Sequence, residues 1–212
     1  DVEGESERLF ARVGGPEGAP PVVLLHGYPQ THAMWHRVAP KLAERFRVVL
    51  LDLPGYGASS VPPDADDHAP YSKRRMAREV RAAAARLGHE RFMLVGHDRG
   101  ARVAYRMALD IPDAVARLAV LDIVPTGEIW RAFSAERGLK FWHWTFLAQP
   151  APIPERLMAP DPVGFVDRLI PRWTKAGDLS AFDPRALDAY HRMVADPVRL
   201  HATCEDYRAG AG

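Results

Sequence analysis

The sequence predicts a doubly wound α/β protein, in which helices cover both faces of a mostly parallel sheet. Through residues 1–126, short and continuously apolar runs alternate with amphipathic helical patterns. Each run stops at or beside a glycine or an aspartate. Such runs are typical of strands buried on both faces, as in parallel sheets. A repeated strand–helix–strand order then predicts parallel neighbours joined by helical crossovers.

The individual elements follow from these patterns. The predicted strands are residues 9–13, 22–25, 47–51, 92–95 and 118–121. The stretch 72–87 predicts a helix, because its apolar residues share one face and its arginines the other. The stretch 99–109 predicts a second helix, which ends near Ile111-Pro112 because proline cannot continue it. We expect 118–121 to be an interior strand, buried on both faces. Without later strands beside it, it would be a bare apolar edge.

From residue 127 the pattern changes, since aromatic residues cluster, prolines recur and no β-branched run follows. This texture predicts a helical cap inserted after a sheet-containing core. The expected division is therefore a core over residues 1–126 and a cap over residues 127–212.

Composition excludes several classes of function. The 28 Lys and Arg residues balance 27 Asp and Glu residues, so no basic excess indicates nucleic-acid binding. Cys204 is the single cysteine, which excludes an internal disulfide and a thiolate metal cage. No apolar run approaches the roughly 18 residues of a membrane span, and no leader pattern opens the sequence. We expect a soluble, cytoplasmic protein without nucleic-acid or membrane partners.

A turn between strand 92–95 and helix 99–109 is the strongest chemical signal. Gly96-His97-Asp98-Arg99-Gly100 fits the pattern Gly-x-nucleophile-x-Gly, in which a tight strand-to-helix turn presents one side chain. The alternative is an ordinary turn whose aspartate caps the helix. Because Asp98 carries its charge at neutral pH, it favours displacement at a saturated carbon over acyl transfer. This predicts carbon–halogen cleavage or epoxide opening through an ester of Asp98.

Two loops accompany this turn. His26-Gly27-Tyr28-Pro29 follows the strand 22–25, and the backbone amides of Tyr28 and Arg99 are the expected oxyanion-hole pair. The loop of residues 52–59 contains two glycines but lacks the third glycine of a dinucleotide fingerprint. We therefore expect no cofactor and no metal.

Arg99 and Arg102 lie three residues apart at the start of the predicted helix, so they share a face beside Asp98. Two carboxylates about 6 Å apart repel by roughly 3 kcal/mol at an effective dielectric of 20. Arginines that bind an anionic substrate would cancel this repulsion. The alternative is that both are surface arginines, as we expect for Arg106.

Asp122 follows strand 118–121, which brings it to the sheet edge where Asp98 is expected. It is the candidate for the acid that orients a catalytic histidine. The alternative is a turn-forming aspartate before Pro125.

Taken together, the string from His97 to Arg102 and the later Trp142-His143-Trp144 cluster resemble the fluoroacetate (haloacetate) dehalogenases of the α/β-hydrolase superfamily. The resemblance extends over the whole sequence. It implies an α/β-hydrolase fold, hydrolysis of a small haloacid to a 2-hydroxy acid, no cofactor, and a homodimer.

The resemblance also implies site residues. Asp98 is the expected nucleophile and Asp122 the expected orienting acid. The substrate carboxylate is assigned to Arg99 and Arg102, the halide to His143, Trp144 and Tyr207, and the pocket wall to Trp173. Fluoride is a poor leaving group, so neutral N–H and O–H donors suit its departure.

The sequence departs from this family in one respect. The family continues with strands and helices after the cap, and its general-base histidine lies there. None of the nine histidines of this sequence matches that position. We therefore expect this chain to be an incomplete record of a longer protein. The C-terminal strands and helix of that protein would be missing from this chain. Two alternatives stay open: an epoxide hydrolase, and a catalytically incomplete small-molecule binder.

Overall fold

A computed structural model describes residues 1–211. Its strands are β1 Val2–Glu3, β2 Arg8–Leu9, β3 Ala11–Gly14, β4 Pro21–Leu25, β5 Arg47–Leu51, β6 Phe92–His97 and β7 Val115–Leu121. Its α-helices are α1 Ala39–Leu42, α2 Lys73–Arg86, α3 Arg99–Asp110, α4 Thr126–Arg131, α5 Ala135–Lys140, α6 Trp142–Leu147, α7 Ile153–Met158, α8 Pro162–Leu169, α9 Pro184–Ala195 and α10 Pro197–Arg208. Four 3-10 turns are His32–Arg37, Ala69–Tyr71, Pro112–Ala114 and Ile170–Trp173.

A five-stranded sheet in the order β3-β5-β4-β6-β7 forms the centre of the molecule. β3 pairs with β5 in antiparallel orientation, and the other neighbours are parallel. The prediction of a mostly parallel sheet is confirmed. Because β4, β6 and β7 run in the same direction, the loops that follow them emerge at one sheet edge.

The sheet is covered on both faces, as a doubly wound fold requires. Alternate residues of the central strands point to opposite sides. Val23, Leu25, Val49, Leu51 and Leu94 pack in one apolar cluster with residues of α2 and α3. The other cluster joins Val22, Leu24, Val48 and Leu50 to Trp35 of the first 3-10 turn and to residues of α1.

The predicted strand 9–13 divides into two short strands. β2 pairs with β1, and β3 pairs with β5 of the large sheet. Between them, the amide of Phe10 donates to Oγ of Ser59 at 2.9 Å instead of joining a ladder. The backbone therefore changes partner at Phe10.

Strand 118–121 takes the exposed edge position that is expected of it when no later strand lies beside it. Within residues 1–211, β7 pairs with β6 and has no second strand neighbour. Leu118, Val120 and Leu121 are 41%, 42% and 40% exposed. An edge position leaves the side chains of a strand partly in solvent.

Every regular element from Thr126 onward in the described chain is helical. We call residues 126–211 the helical segment. It covers the sheet edge after β4 and β6, where the ring of Tyr207 packs edge-on against Tyr28 at 5.3 Å. The division into a core 1–126 and a cap 127–212 stays a prediction. Among residues 1–211, no helix is both long enough and apolar enough to cross a membrane.

Candidate active site

Asp98 occupies a sharp turn between β6 and α3. Its backbone has φ 47° and ψ −114°, a region that non-glycine residues rarely adopt. A Cβ on Gly96 would collide with the carbonyl of Gly100, and a Cβ on Gly100 would collide with the carbonyl of His26. The glycines thus permit a turn that is too tight for larger residues. Residues held in such sparsely populated backbone regions cluster at functional sites.

The Asp98 carboxylate is bound from the neighbouring loop after β4. The backbone N–H of Tyr28 donates to Oδ1 of Asp98 at 3.0 Å. Gly27 makes this approach possible, since a Cβ there would lie 2.5 Å from Cβ of Asp98. In the described chain, the backbone N–H of Arg99 makes no hydrogen bond to this carboxylate. The oxyanion-hole roles of both amides stay predictions.

Nearby positive charge keeps Asp98 ionised. Burial raises the pKa of Asp98. The charges of Arg99, His97 and Arg102 and the Tyr28 hydrogen bond lower it by more than burial raises it. The net pKa lies below the ordinary aspartate value. Asp98 is therefore an anion at neutral pH, which is the form a carboxylate nucleophile needs.

A cavity of about 540 Å³ opens above Asp98, between the sheet edge and the helical segment. Among the predicted side chains, those that line it are Tyr28, Asp98, Arg102, Asp122, His143, Trp144, Trp173 and Tyr207. Arg99 does not line it. The fold thus collects residues from both halves of the sequence around one carboxylate.

Arg102 points one edge of its guanidinium toward protein acceptors. Nη1 donates to the carbonyl of Val124 at 3.1 Å and to Oγ1 of Thr126 at 2.8 Å. Nε is buried and has no partner among the described residues. The guanidinium carbon lies 4.5 Å from the centre of the Trp144 ring, a cation–π distance.

Arg99 is 1% exposed and is bound by Asp206 of α10. Nε donates to Oδ2 of Asp206 at 2.8 Å, and Nη2 donates to Oδ1 at 2.9 Å. The guanidinium carbon of Arg99 also lies over the ring of Tyr207, 4.2 Å from the ring centre. The predicted role of Arg99 in substrate binding stays a prediction. Asp206 was not predicted as a site residue, since no local pattern singles it out.

The three candidate halide donors lie together on α6 and α10. The rings of His143 and Trp144 are each 6.1 Å from the ring of Tyr207. Burial lowers the pKa of His143 to about 4, an effect that Asp98 opposes and Arg99 reinforces. His143 is therefore neutral at neutral pH and carries one N–H donor. Trp173, which is 45% exposed, lies 4.9 Å from the His143 ring at the cavity wall.

Asp122 directly follows β7 and has φ 55°. It lines the same cavity as Asp98, as expected for neighbouring parallel strands. Its role as an orienting acid is not tested by this geometry and stays a prediction.

Unpartnered polar atoms concentrate around the cavity. In the described chain, six buried side-chain nitrogen or oxygen atoms lack a hydrogen-bond partner. Five of them belong to cavity-lining residues, namely Tyr28, Gln30, His97, Arg102 and His143. Buried polar groups are normally paired, so these atoms indicate a polar ligand site. Gln30 and His97 were not predicted as site residues. Across residues 1–211, no group of three or more His, Cys, Asp or Glu side chains is arranged to hold a metal ion.

Comparison with known proteins decides the family. The family described as the alpha/beta hydrolase fold matches residues 20–162. The chain belongs to the α/β hydrolase fold family. The predicted α/β-hydrolase fold is thereby confirmed. The role of Asp98 as the nucleophile stays a prediction.

Among relatives of this α/β hydrolase, a fluoroacetate dehalogenase from Burkholderia sp is 49% identical over 198 residues. The match covers 93% of this chain and 64% of that protein, so the chain spans less than two thirds of its relative. The predicted resemblance to the fluoroacetate dehalogenases is confirmed.

Two solved structures share the fold of this α/β hydrolase closely. ALR0039 from Nostoc sp PCC 7120, assigned as an α/β hydrolase, is 47% identical with a TM-score of 0.95. That match covers 99% of this chain and 71% of the other. A Pseudomonas aeruginosa protein assigned as an epoxide hydrolase is 46% identical with a TM-score of 0.92, covering 100% and 69% of the two chains.

Proposed function

We propose that this protein is a hydrolytic dehalogenase that converts short 2-haloacids, such as fluoroacetate, to 2-hydroxy acids through an ester of Asp98. One observation carries the proposal. An ionised carboxylate on a strained turn shares a cavity with a buried arginine whose Nε has no partner among the described residues. A nucleophilic anion beside an unsatisfied cation suits a substrate that is itself an anion.

The first step is displacement at carbon. Oδ1 of Asp98 is bound by Tyr28, so Oδ2 is the oxygen available for attack. Oδ2 forms a bond to the α-carbon from the side opposite the halogen. The carbon–halogen bond breaks at the same time, and the halide leaves with the electron pair. The product of this step is an alkyl ester of Asp98 and a free halide.

Binding of the substrate carboxylate falls to the arginines. Nη1 of Arg102 already donates to Val124 and Thr126, which leaves the Nε–Nη2 edge for a bidentate contact. Arg99 has Nε and Nη2 engaged with Asp206, which leaves Nη1. Arg102 would hold the substrate carboxylate with the bidentate contact. The single contact from Nη1 requires that the substrate reach Arg99, which does not line the cavity in the described structure.

Halide departure uses the donors on α6 and α10. Neutral His143, Trp144 and Tyr207 supply N–H and O–H groups without an opposing negative charge. Loss of one preorganised donor in comparable sites costs about 3–4 kcal/mol of transition-state stabilisation. Stabilisation of this size matters most for fluoride, the poorest leaving group among the halides.

The second step hydrolyses the ester. Water adds to Cγ of Asp98, and negative charge develops on Oδ1, to which the Tyr28 amide already donates. The bond from Cγ to the alkyl oxygen then breaks, that oxygen takes up the proton that the water lost to the activating histidine, and the 2-hydroxy acid is released. Asp122 is proposed to orient the histidine that activates this water.

An epoxide hydrolase is the second candidate, and the Pseudomonas aeruginosa relative supports it. The cavity contains two phenols, Tyr28 and Tyr207, which could protonate an epoxide oxygen. Burial raises the pKa of both hydroxyls, so both keep their protons. Against this candidate, a neutral epoxide does not need the open edge of Arg102.

One assay separates the two candidates. The complete natural protein is incubated with fluoroacetate and, separately, with styrene oxide, while fluoride and diol are measured. We expect fluoride and glycolate from the first and no diol from the second. Diol without fluoride would overturn the proposal in favour of an epoxide hydrolase. Absence of both products and of any covalent adduct would indicate a binding protein.

A further inference from the structure

A buried carboxylate on α10 is contacted by three donor side chains. Asp206 is fully buried and lies on α10 of the helical segment. Arg99 donates to both of its carboxylate oxygens and also to its backbone carbonyl. The hydroxyl of Tyr56 donates to Oδ2 at 2.7 Å, and Nζ of Lys73 contacts Oδ1. All three partners come from the first half of the sequence.

These contacts fix the rotation of the Arg99 guanidinium. The bidentate contact with Asp206 occupies the Nε–Nη2 edge, which is the edge that arginine would otherwise present to a substrate carboxylate. Nη1 is the nitrogen that remains. Without Asp206, the arginine could turn this edge elsewhere or leave its buried position.

The next residue along α10 completes the arrangement. The Tyr207 ring lies against the guanidinium of Arg99, with 4.2 Å between the guanidinium carbon and the ring centre. Two consecutive residues therefore hold Arg99, one through hydrogen bonds and one through its ring face. Because Tyr207 also lines the cavity, the position of Arg99 is coupled to a proposed halide donor.

We propose that Asp206 is a positioning residue, which orients Arg99 so that its Nη1 end binds the carboxylate of the substrate. The inference rests on the proposed function of Arg99 in substrate binding. Stability alone is a weak explanation for this cluster, because buried ion pairs often contribute little net stability compared with apolar packing. Tyr56 and Lys73 serve the same end, since they fix the carboxylate that fixes the arginine.

The test measures binding of acetate, a substrate-sized carboxylate that cannot react. Calorimetry on the complete natural protein compares the wild type with Asp206→Asn, which keeps the size of the side chain but removes its charge. Glu205→Gln is the matched control, because Glu205 is a buried neighbour that contacts Arg208 and His68 instead of Arg99. Acetamide is the neutral ligand control.

We expect Asp206→Asn to raise the Kd for acetate at least about tenfold, as misplacement of a positioning group does, and to leave acetamide binding unchanged. Glu205→Gln should stay within about twofold of the wild type. The KM for fluoroacetate should rise more than kcat falls. An unchanged Kd in Asp206→Asn, an equal loss in Glu205→Gln, or no acetate binding by the wild type would overturn the inference.

If Asp206→Asn does not fold, as judged by its circular dichroism, Tyr56→Phe decides. This variant removes one donor from Oδ2 and keeps every charge. We therefore expect the Kd for acetate to rise, but by less than in Asp206→Asn. Unchanged acetate binding in Tyr56→Phe would then overturn the inference. Acetate binding that depends on Asp206 in a protein that releases no halide would refute the proposed reaction and leave this inference standing.

Discussion

The backbone nitrogen of Tyr28 lies 3.0 Å from Oδ1 of Asp98, although 70 residues separate the two in sequence. This contact makes the two oxygens of one carboxylate inequivalent. Oδ1 is held where negative charge would develop during ester hydrolysis, and Oδ2 is left for attack on carbon. A single hydrogen bond thus suits both steps of the proposed reaction.

Asp98→Asn should abolish dehalogenation with little change in structure. The amide oxygen can still accept from the Tyr28 N–H, but an amide is a far weaker nucleophile than a carboxylate. We expect fluoride release to fall at least roughly a thousandfold, as loss of a nucleophile does in other enzymes. A fluoride electrode measures the rate, and intact-mass spectrometry tests for the alkyl adduct. Fluoride release at the wild-type rate would exclude Asp98 as the nucleophile.

The origin of the product oxygen provides a test without mutation. If Asp98 is alkylated, the hydroxyl oxygen of the first product molecule comes from the aspartate and the water oxygen stays on the enzyme. A single turnover in ¹⁸O-labelled water should therefore yield unlabelled glycolate and a labelled peptide containing Asp98. Mass spectrometry reads both. Labelled glycolate in that first turnover would indicate direct attack by water.

Arg102→Leu should weaken the reaction of haloacids and spare that of neutral analogues. The variant removes a buried cation that the substrate carboxylate is expected to contact, and such truncations cost about 2–5 kcal/mol. We expect kcat/KM for fluoroacetate to fall on the order of 100-fold, while that for fluoroacetamide changes little. Arg106→Leu is the matched control, since Arg106 on the same helix pairs with Asp110. Equal losses for both substrates would contradict a carboxylate-binding role.

Trp144→Phe should impair halide binding. The change keeps an aromatic ring near Arg102 but removes the indole N–H. We expect fluoride release to slow by about 100- to 1000-fold, the range seen when one preorganised donor is lost. Trp142→Phe is the control on the same helix, because Trp142 packs on Phe146 and Phe165. Equal slowing of fluoride release in both variants would contradict a halide-binding role for Trp144.

His143 should make stability depend on pH in the acidic range. Its pKa is lowered from 6.5 to about 4 in the folded protein, chiefly by burial. Between these values the unfolded chain binds a proton that the folded chain does not, so stability falls as the pH drops from 6.5 toward 4. The loss from this residue reaches on the order of 3 kcal/mol. Above pH 6.5 it contributes no pH dependence.

The corresponding measurement is urea unfolding of the wild type and of His143→Gln at pH 7 and pH 4.5. Glutamine does not titrate, so the variant should lose less stability over this interval, by roughly 2–3 kcal/mol. An equal loss of unfolding free energy between pH 7 and pH 4.5 in both proteins would show that His143 keeps an ordinary pKa in the folded protein.

The sequence was sufficient for those features that depend on local order. Apolar runs and helical periodicity predicted the parallel sheet and helices over 72–87 and 99–109, which the structure places at 73–86 and 99–110. A strand buried on both faces leaves a continuous apolar run, and a helix buried on one face leaves an amphipathic pattern. The spacing of Gly96, Asp98 and Gly100 predicted the turn, because a tight strand-to-helix connection demands small residues at fixed positions. The apolar run 118–121 predicted an interior strand that becomes an exposed edge without later neighbours, and β7 is such an edge within residues 1–211.

Only the tertiary structure decided how the two arginines differ. On sequence spacing Arg99 and Arg102 are equivalent, three residues apart on one helix. In the folded chain Arg99 is hydrogen-bonded to Asp206, 107 residues away. Arg102 instead keeps a buried Nε without a partner among the described residues. A hydrogen bond across such a separation leaves no periodic trace in the sequence, because it depends on where α10 packs against the sheet edge.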